Sequence, residues 1–258
     1  MKSSDKLISI ITPNYNCGRF IAQTIESVLL QTYTNWEMIL QDDCSTDDSY
    51  ETACTYADKD PRIKVFRNEK NSGAAITRNN AIKKASGNYV AFLDSDDIWL
   101  PEKLEQQVCF MEKNKCDFSF MEYEHINEQG NSLGICAKVT KRLTYTKLLL
   151  HCWPGCLTVM YNQDVTGKVF CGDVKKDNDH ALFLQVIKRC HNARGIAMCL
   201  AKYRIRKGSI SRKKWQIIEC YIKVIHEFEK KSIFFAWLCV FTHMVVKTFF
   251  KYKKIKIN

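Results

Sequence analysis

Between residues 7 and 111 the chain alternates four times between a short run of strand character and a segment of helical spacing, and no other feature restricts its fold so tightly. "LISIIT" (7–12) is a continuous apolar run of the kind buried on both faces, and "WEMILQ" (36–41), "IKVFRN" (63–68) and "NYVAFLD" (88–94) also read as strands. After the first run, Phe20, Ile21, Ile25, Val28 and Leu29 recur at helical spacing. The polar break "DDCSTDDS" predicts a capped helix over about 48–58, and Ala75 to Ala85 reads as a helix ended by Gly87. Pro101 opens another, with Leu104, Val108 and Met111 on one face. Four β-α repeats with short loops predict a mostly parallel, three-layer α/β/α sheet with right-handed crossovers. Such sheets bind ligands beyond the carboxyl ends of their strands. Three of the four ends carry unusual polar groups: "TPNYN", "QDD" and "DSDD".

The last of these places Asp94, Asp96 and Asp97 within four positions. Like charges this close repel, so without a counter-ion at least one would bind a proton. Mg²⁺ or Mn²⁺ answers the problem, since it takes oxygen ligands and leaves positions open for phosphate. A helix cap before Pro101 is the plainer reading, but a cap needs one acid rather than three. Asp42 and Asp43 end the second strand, where a carboxylate can accept from a base edge or a ribose hydroxyl; an Asx turn followed by an N-cap is the alternative. Tyr15 offers a ring for stacking on a base, or for ordinary packing. "NSGAAITRNNA" (71–81) joins a glycine turn to a helix N-terminus and Arg78, a combination that suits phosphate, or else a simple turn with a surface arginine. Its glycines form neither GxGxxG nor a Walker loop, which argues against NAD and P-loop chemistry. Asp177 and Asp179 precede a helix whose apolar face is Leu182, Phe183, Val186 and Ile187. They are candidates for a general base or for helix caps.

Composition excludes several classes. At 258 residues the chain can bury one sizeable core, and 46% hydrophobic with 26% charged residues excludes wholesale disorder. The net charge of +11 is local: residues 202–258 hold 15 basic against 3 acidic side chains, and the rest of the chain holds 24 against 25. A basic tail suits anionic lipid, while a body without a basic stripe argues against nucleic acid. Thirteen cysteines, an odd number with no CxxC pair, read as buried free thiols in a reducing compartment. His151, Cys152 and Cys156 make at most half of a metal site. "LISIIT" is too short for a signal-peptide core, which points to a cytosolic or cytosol-facing protein.

Taken together and in order, "ISIITPNYN", "SVLLQTYTNWEMILQDDCSTDDS", "NSGAAITRNNAIKKASGNYVAFLDSDDIWLPEKLE" and, more weakly, "DHALFLQVIKR" and "YRIRKGSIS" resemble the family 2 inverting glycosyltransferases of the GT-A fold. The similarity is strong over about residues 7–108 and weaker to about 212. It implies a Rossmann-like nucleotide-binding half in which Thr12, Pro13, Tyr15, Asp43, Arg78, Asp94, Ser95 and Asp96 contact a UDP-sugar. Tyr15 and Asp43 would hold the base. Asp94 and Asp96 would form the DxD element with Mn²⁺ or Mg²⁺, and Asp97 would be a further ligand. The family's base is an Asp opening a helix of pattern D-x-x-L-W-L. "NDHALFL" aligns Asp179 with it, although Asn178 and Phe183 replace the usual Glu and Trp, and Asp177 is the fallback. "YRIRKGSIS" resembles a closing segment that would bring Arg204, Arg206 and Ser209 over the diphosphate.

The expected organisation is a catalytic domain over 1–212 and a basic amphipathic helical tail over 213–258. Ser232 to Phe250 is almost entirely apolar, with His243 and Lys247 interrupting it, and lysines flank it on both sides. A helix lying in the membrane interface is expected, with a bilayer span or core packing as alternatives. Membrane contact on the inner face would hold the site beside a lipid-linked acceptor. The bacterial surface-polysaccharide members of the family use such acceptors, here an undecaprenyl-diphosphate-linked glycan. Two other functions stand beside this one: a nucleotide-sugar-binding protein without transferase activity, and a nucleotidyltransferase.

Overall fold

The computed structural model describes residues 5–152, 154–172, 178–206 and 214–255. Its first half follows the alternation. Strands β1 (Ile8–Asn14), β2 (Trp36–Asp42), β3 (Ile63–Arg67) and β4 (Tyr89–Phe92) are separated by helices α1 (Gly18–Leu29), α2 (Ser49–Ala57) and α3 (Ala74–Lys84). The four strands lie parallel in the order β4-β1-β2-β3. Alternate residues of β1 serve opposite faces, as strand geometry requires. Ile8 and Ile10 join Ile21, Ile25 and Val28 of α1, while Ile11 joins Ala81 and Ile82 of α3. Close approach explains Gly87: a Cβ there would stand 2.6 Å from the Ser9 nitrogen and 2.7 Å from the Leu7 oxygen. Only glycine lets the turn before β4 pass that near β1.

The second half adds β5 (Ile98–Trp99), α4 (Lys103–Lys113), β6 (Phe118–Ile126), β7 (Ser132–Ala137), β8 (Arg142–Leu143), α5 (Tyr145–Leu150), β9 (Met160–Asn162), α6 (Gln163–Thr166), α7 (Asn178–Ile187), β10 (Ala193–Arg204), α8 (Lys214–Lys223), α9 (Ile233–Phe249) and β11 (Tyr252–Lys254). Strand β9 runs antiparallel to both β4 and β6, so the sheet β11-β7-β6-β9-β4-β1-β2-β3 is parallel from β4 to β3 and antiparallel from β11 to β4. The long β10 lies parallel to β6 and pairs antiparallel with β5 and β8. The apolar run "CLTVMY" (156–161) begins as a 3-10 turn over Cys156–Thr158 before β9. There both the amide and the hydroxyl of Thr158 donate to the Gly155 carbonyl, which outcompetes the sheet ladder.

The C-terminal segment does not stand apart from the domain. Strand β11 pairs antiparallel with β7 at the sheet edge. Ala236, Cys239 and Val240 of α9 are buried in the same core cluster as Leu148 of α5 and Tyr221 of α8. The expected boundary at 212/213 lies outside the described residues. Among the described residues, no helix is long and apolar enough to cross a membrane.

Candidate active site

The ends of β1 and β2 are tied together. The Asp43 amide donates to the Asn14 carbonyl (2.9 Å), and Asn14 Nδ2 donates to Asp42 (2.7 Å). Tyr15, half-exposed, follows Asn14 directly at the end of β1. The buried Asp43 carboxylate also accepts from the amides of Ser72 (2.7 Å) and Gly73 (2.8 Å) and from Asn68 Nδ2 (2.8 Å). It thus fixes the loop that starts α3, where Gly73 adopts φ +85°. Thr12 and Ser95 are buried, and the Thr12 hydroxyl has no partner among the described residues. Pro13 lies within β1, whose register pairs it with Gln41.

Arginines from distant segments supply the charge that the sequence around "DSDD" lacks. Arg78, buried on α3, donates to Asp94 Oδ1 at 2.9 Å, and Arg206 Nε stands 2.8 Å from Asp96 Oδ2. Asp97 departs from expectation. Its carboxyl turns into the protein, only 1% exposed, and Oδ1 accepts from the Arg204 amide at 2.9 Å. Oδ2 has no partner among the described residues. Burial first, then repulsion from Asp96 and Asp94, pushes this carboxyl well above the usual range, which favours its protonated form. It is not placed as a metal ligand. Burial likewise raises Asp96, against the pull of Arg206.

Arg204, expected on a closing loop, is a buried strut beneath the acidic turn. Its guanidinium donates to the carbonyls of Asp96 (2.7 Å) and Glu128 (2.8 Å) and to Gln23 Oε1 (2.8 Å). Ser209 and Asp177 lie outside the described residues.

Helix α7 is registered by Phe183. That ring is fully buried between Phe92 of β4 (6.3 Å) and Phe118 of β6 (5.9 Å), an anchor of about 1.5–3 kcal/mol in burial alone. One turn earlier, Asp179 faces a cleft of about 330 Å³ that Asp94 also lines. Arg78 lies within electrostatic reach of both carboxylates. A more open basin of about 380 Å³ beside Arg67, Asn68 and Lys70 contains none of these acids. The cleft walls include residues that the sequence did not single out for the site: His125 of β6, Tyr203 of β10, Tyr221 of α8, His243 and Lys247 of α9, and Lys251. The available signal was the spacing of Ala236, Val240, His243 and Lys247, which puts polar groups on the buried stripe of α9. Burial lowers His125 to about 4 and His243 to about 3, so both rings are neutral near pH 7.

Among the described residues no group of three or more His, Cys, Asp or Glu side chains is placed to hold a metal ion. Two carboxylates, Asp94 and Asp96, do reach the strand end. Hard oxygen donors in that number suit Mg²⁺ or Mn²⁺, whose remaining positions go to water and phosphate, and the Asp94 side chain is 34% exposed. The donor set fits such an ion without requiring Asp97.

A parallel nucleotide-binding sheet with acids at its strand ends, facing a further acid across a cleft, defines a sugar-nucleotide transferase of GT-A architecture. The chain belongs to glycosyl transferase family 2, whose model matches residues 9–162. It is 41% identical over 90% of its length to TuaG of Bacillus subtilis, a glycosyltransferase named for teichuronic acid biosynthesis, covering 92% of that protein. It is 40% identical to WfgD of Escherichia coli, a UDP-Glc:α-D-GlcNAc-diphosphoundecaprenol β-1,3-glucosyltransferase, over 89% of each chain. Its fold matches that of S. aureus TarS, solved with UDP-GlcNAc, with a TM-score of 0.70 and 22% identity, over 84% of this chain and 65% of that one.

Proposed function

We propose that the protein is an inverting, divalent-cation-assisted glycosyltransferase that moves a hexose or N-acetylhexosamine from a UDP-sugar to a hydroxyl of an undecaprenyl-diphosphate-linked glycan, working at the inner face of the cytoplasmic membrane. The observation that carries it is the shared cleft: Asp94 at the end of β4 and Asp179 on α7 line one space, with Arg78 in electrostatic reach of both. The name of WfgD supports the donor and acceptor classes.

In this reading Tyr15 stacks on the uracil, and Asp43 fixes the loop beneath it and accepts from the base edge. Asp94 and Asp96 would hold the Mn²⁺ or Mg²⁺ ion, which when bound would supply positive charge to the leaving diphosphate. Arg78 orients Asp94 through its 2.9 Å hydrogen bond. Asp179 takes the proton from the acceptor hydroxyl. The hydroxyl oxygen bonds to the anomeric carbon as the bond from that carbon to the diphosphate oxygen breaks on the opposite face. The electron pair leaves on UDP, and the configuration inverts.

Contact with the membrane rests on the outer face of α9. Phe234, Trp237, Phe241 and Phe249 are 84%, 53%, 65% and 73% exposed, and Trp215 nearby in sequence is 77% exposed. Aromatic residues of this density suit the headgroup boundary, with Lys230 and Lys231 beside them. Lys251 and Lys253, expected to face lipid, are otherwise engaged: the first is buried and the second is paired with Glu122.

The test is Asp179→Asn assayed with a UDP-sugar, Mn²⁺ and a GlcNAc-diphosphate-lipid acceptor. Loss of a general base predicts a fall of about 10²–10⁴-fold in kcat with UDP affinity retained. Full activity in the variant removes Asp179 as the base, and a product of retained configuration removes the mechanism.

A further inference from the structure

The cleft carries both signs of charge. Asp94 and Asp179 line it together with Lys247 and Lys251, and Asp179 is within electrostatic reach both of Arg78, the partner of Asp94, and of Lys251. Lys251 sits just past α9 and before β11, and only 7% of it is exposed. Its ammonium has three donors, yet among the described residues it makes one hydrogen bond, to the Cys152 carbonyl at 3.1 Å, and no ion pair. Asp179 lies within electrostatic reach without bonding to it. An enclosed ammonium with spare donors is costly to maintain unless an anion completes it.

Resting on the glycosyltransfer reading above, we propose that Lys251, with Lys247 at the mouth of the cleft, forms an anion subsite on the acceptor side that receives the diphosphate of the lipid-linked acceptor. Three observations fit together. The donor diphosphate belongs with Asp94 and Asp96, so a second diphosphate needs a separate cationic place, and the lysines supply one in the same cleft. Asp179 lies within electrostatic reach of both Arg78 and Lys251, where the acceptor hydroxyl must be to lose its proton. Helix α9 carries His243 and Lys247 on the stripe that faces the cleft and its large apolar residues on the opposite side. The neutral rings of His125 and His243, in the same wall, leave the charge to the lysines and can add hydrogen bonds.

The experiment compares two acceptors carrying the same short lipid: a GlcNAc-diphosphate and a neutral GlcNAc glycoside, with UDP-glucose and Mn²⁺. The wild type should favour the diphosphate by tenfold or more in kcat/KM. Lys251→Met should bring that ratio close to one, mainly through a higher acceptor KM, with UDP affinity unchanged. Lys247→Met, at an exposed position that folding tolerates, should move the ratio the same way by a smaller factor. Retention of the full preference in both variants overturns the subsite, as does weakened UDP binding, which would assign the lysines to the donor. Equal wild-type use of the two acceptors also overturns it, while leaving glycosyltransfer intact. Transfer to neither acceptor sinks the glycosyltransfer reading, and the subsite with it.

Discussion

Replacing Arg204 tests how the acidic turn is held. Arg204→Met keeps the backbone amide that serves Asp97 but removes three short hydrogen bonds, to Asp96 O (2.7 Å), Glu128 O (2.8 Å) and Gln23 Oε1 (2.8 Å), and a longer one to Asn127 O (3.4 Å). Each abandoned buried acceptor costs about 1–3 kcal/mol, and release of a buried guanidinium offsets part of the sum, leaving about 4 kcal/mol. With a urea dependence of about 3 kcal/mol/M for a domain of this size, the midpoint should fall by about 1.3 M. Arg204→Lys retains the charge but cannot span the same acceptors from one nitrogen, so it should lose about half as much. Urea unfolding followed by tryptophan fluorescence measures both, and UDP titration with Mn²⁺ should show weaker binding as Asp96 loses its anchor. A midpoint for Arg204→Met within about 0.3 M of the wild type would mean that the fork is not supporting the turn.

Two further outcomes concern stability. Lys103 is fully buried over the Trp99 ring (3.6 Å), and its ammonium has no hydrogen-bond partner among the described residues, so Lys103→Met should stabilise the protein by about 1–3 kcal/mol, read as a higher Tm; a lower Tm refutes this. Burial alone would raise Glu37, but hydrogen bonds from Lys64, Ser9 and Ser86 outweigh it and hold the carboxyl at about 2. A depressed folded value stabilises above the unfolded pKa of about 4.3 and is lost as pH falls from there towards 2, a loss of about 2 kcal/mol after allowing for the half-exposed Lys64. Glu37→Gln should flatten the stability profile over that window, and an unchanged profile would assign the acid sensitivity elsewhere.

The parallel half of the fold was legible because its signals are local. Buried strand runs and helical spacing predict β1 to β4 and their crossovers, and the polar strand ends predict the turns that carry Asp43 and Asp94. Asp179 was legible once Phe183 is read as a core anchor one turn beyond it. What stayed hidden depends on long-range partners. Nothing near "DSDD" announces that Arg78, Arg204 and Arg206 supply its counter-charge, nor that Asp97 turns inward while its neighbours turn out, because adjacent residues in a tight turn point in different directions. The C-terminal segment was legible only in part: an apolar, lysine-flanked run reads as a lipid-facing helix, and composition says nothing of its inner face. Only its pairing with β7, and the burial of Ala236, Cys239 and Val240 against α5 and α8, show that half of that helix belongs to the core.

Helix α9 has 17 residues and is therefore a rod of about 25 Å, with an oily flank outward and His243 and Lys247 on the reverse. Such a rod transmits tilt. With its outer flank seated on a bilayer as proposed, a tilt of a few degrees would shift one end by about an ångström relative to the other, enough to alter a proton-transfer distance. Turnover should accordingly respond to bilayer composition and curvature even with a fully water-soluble acceptor, and detergent would report a different enzyme from vesicles.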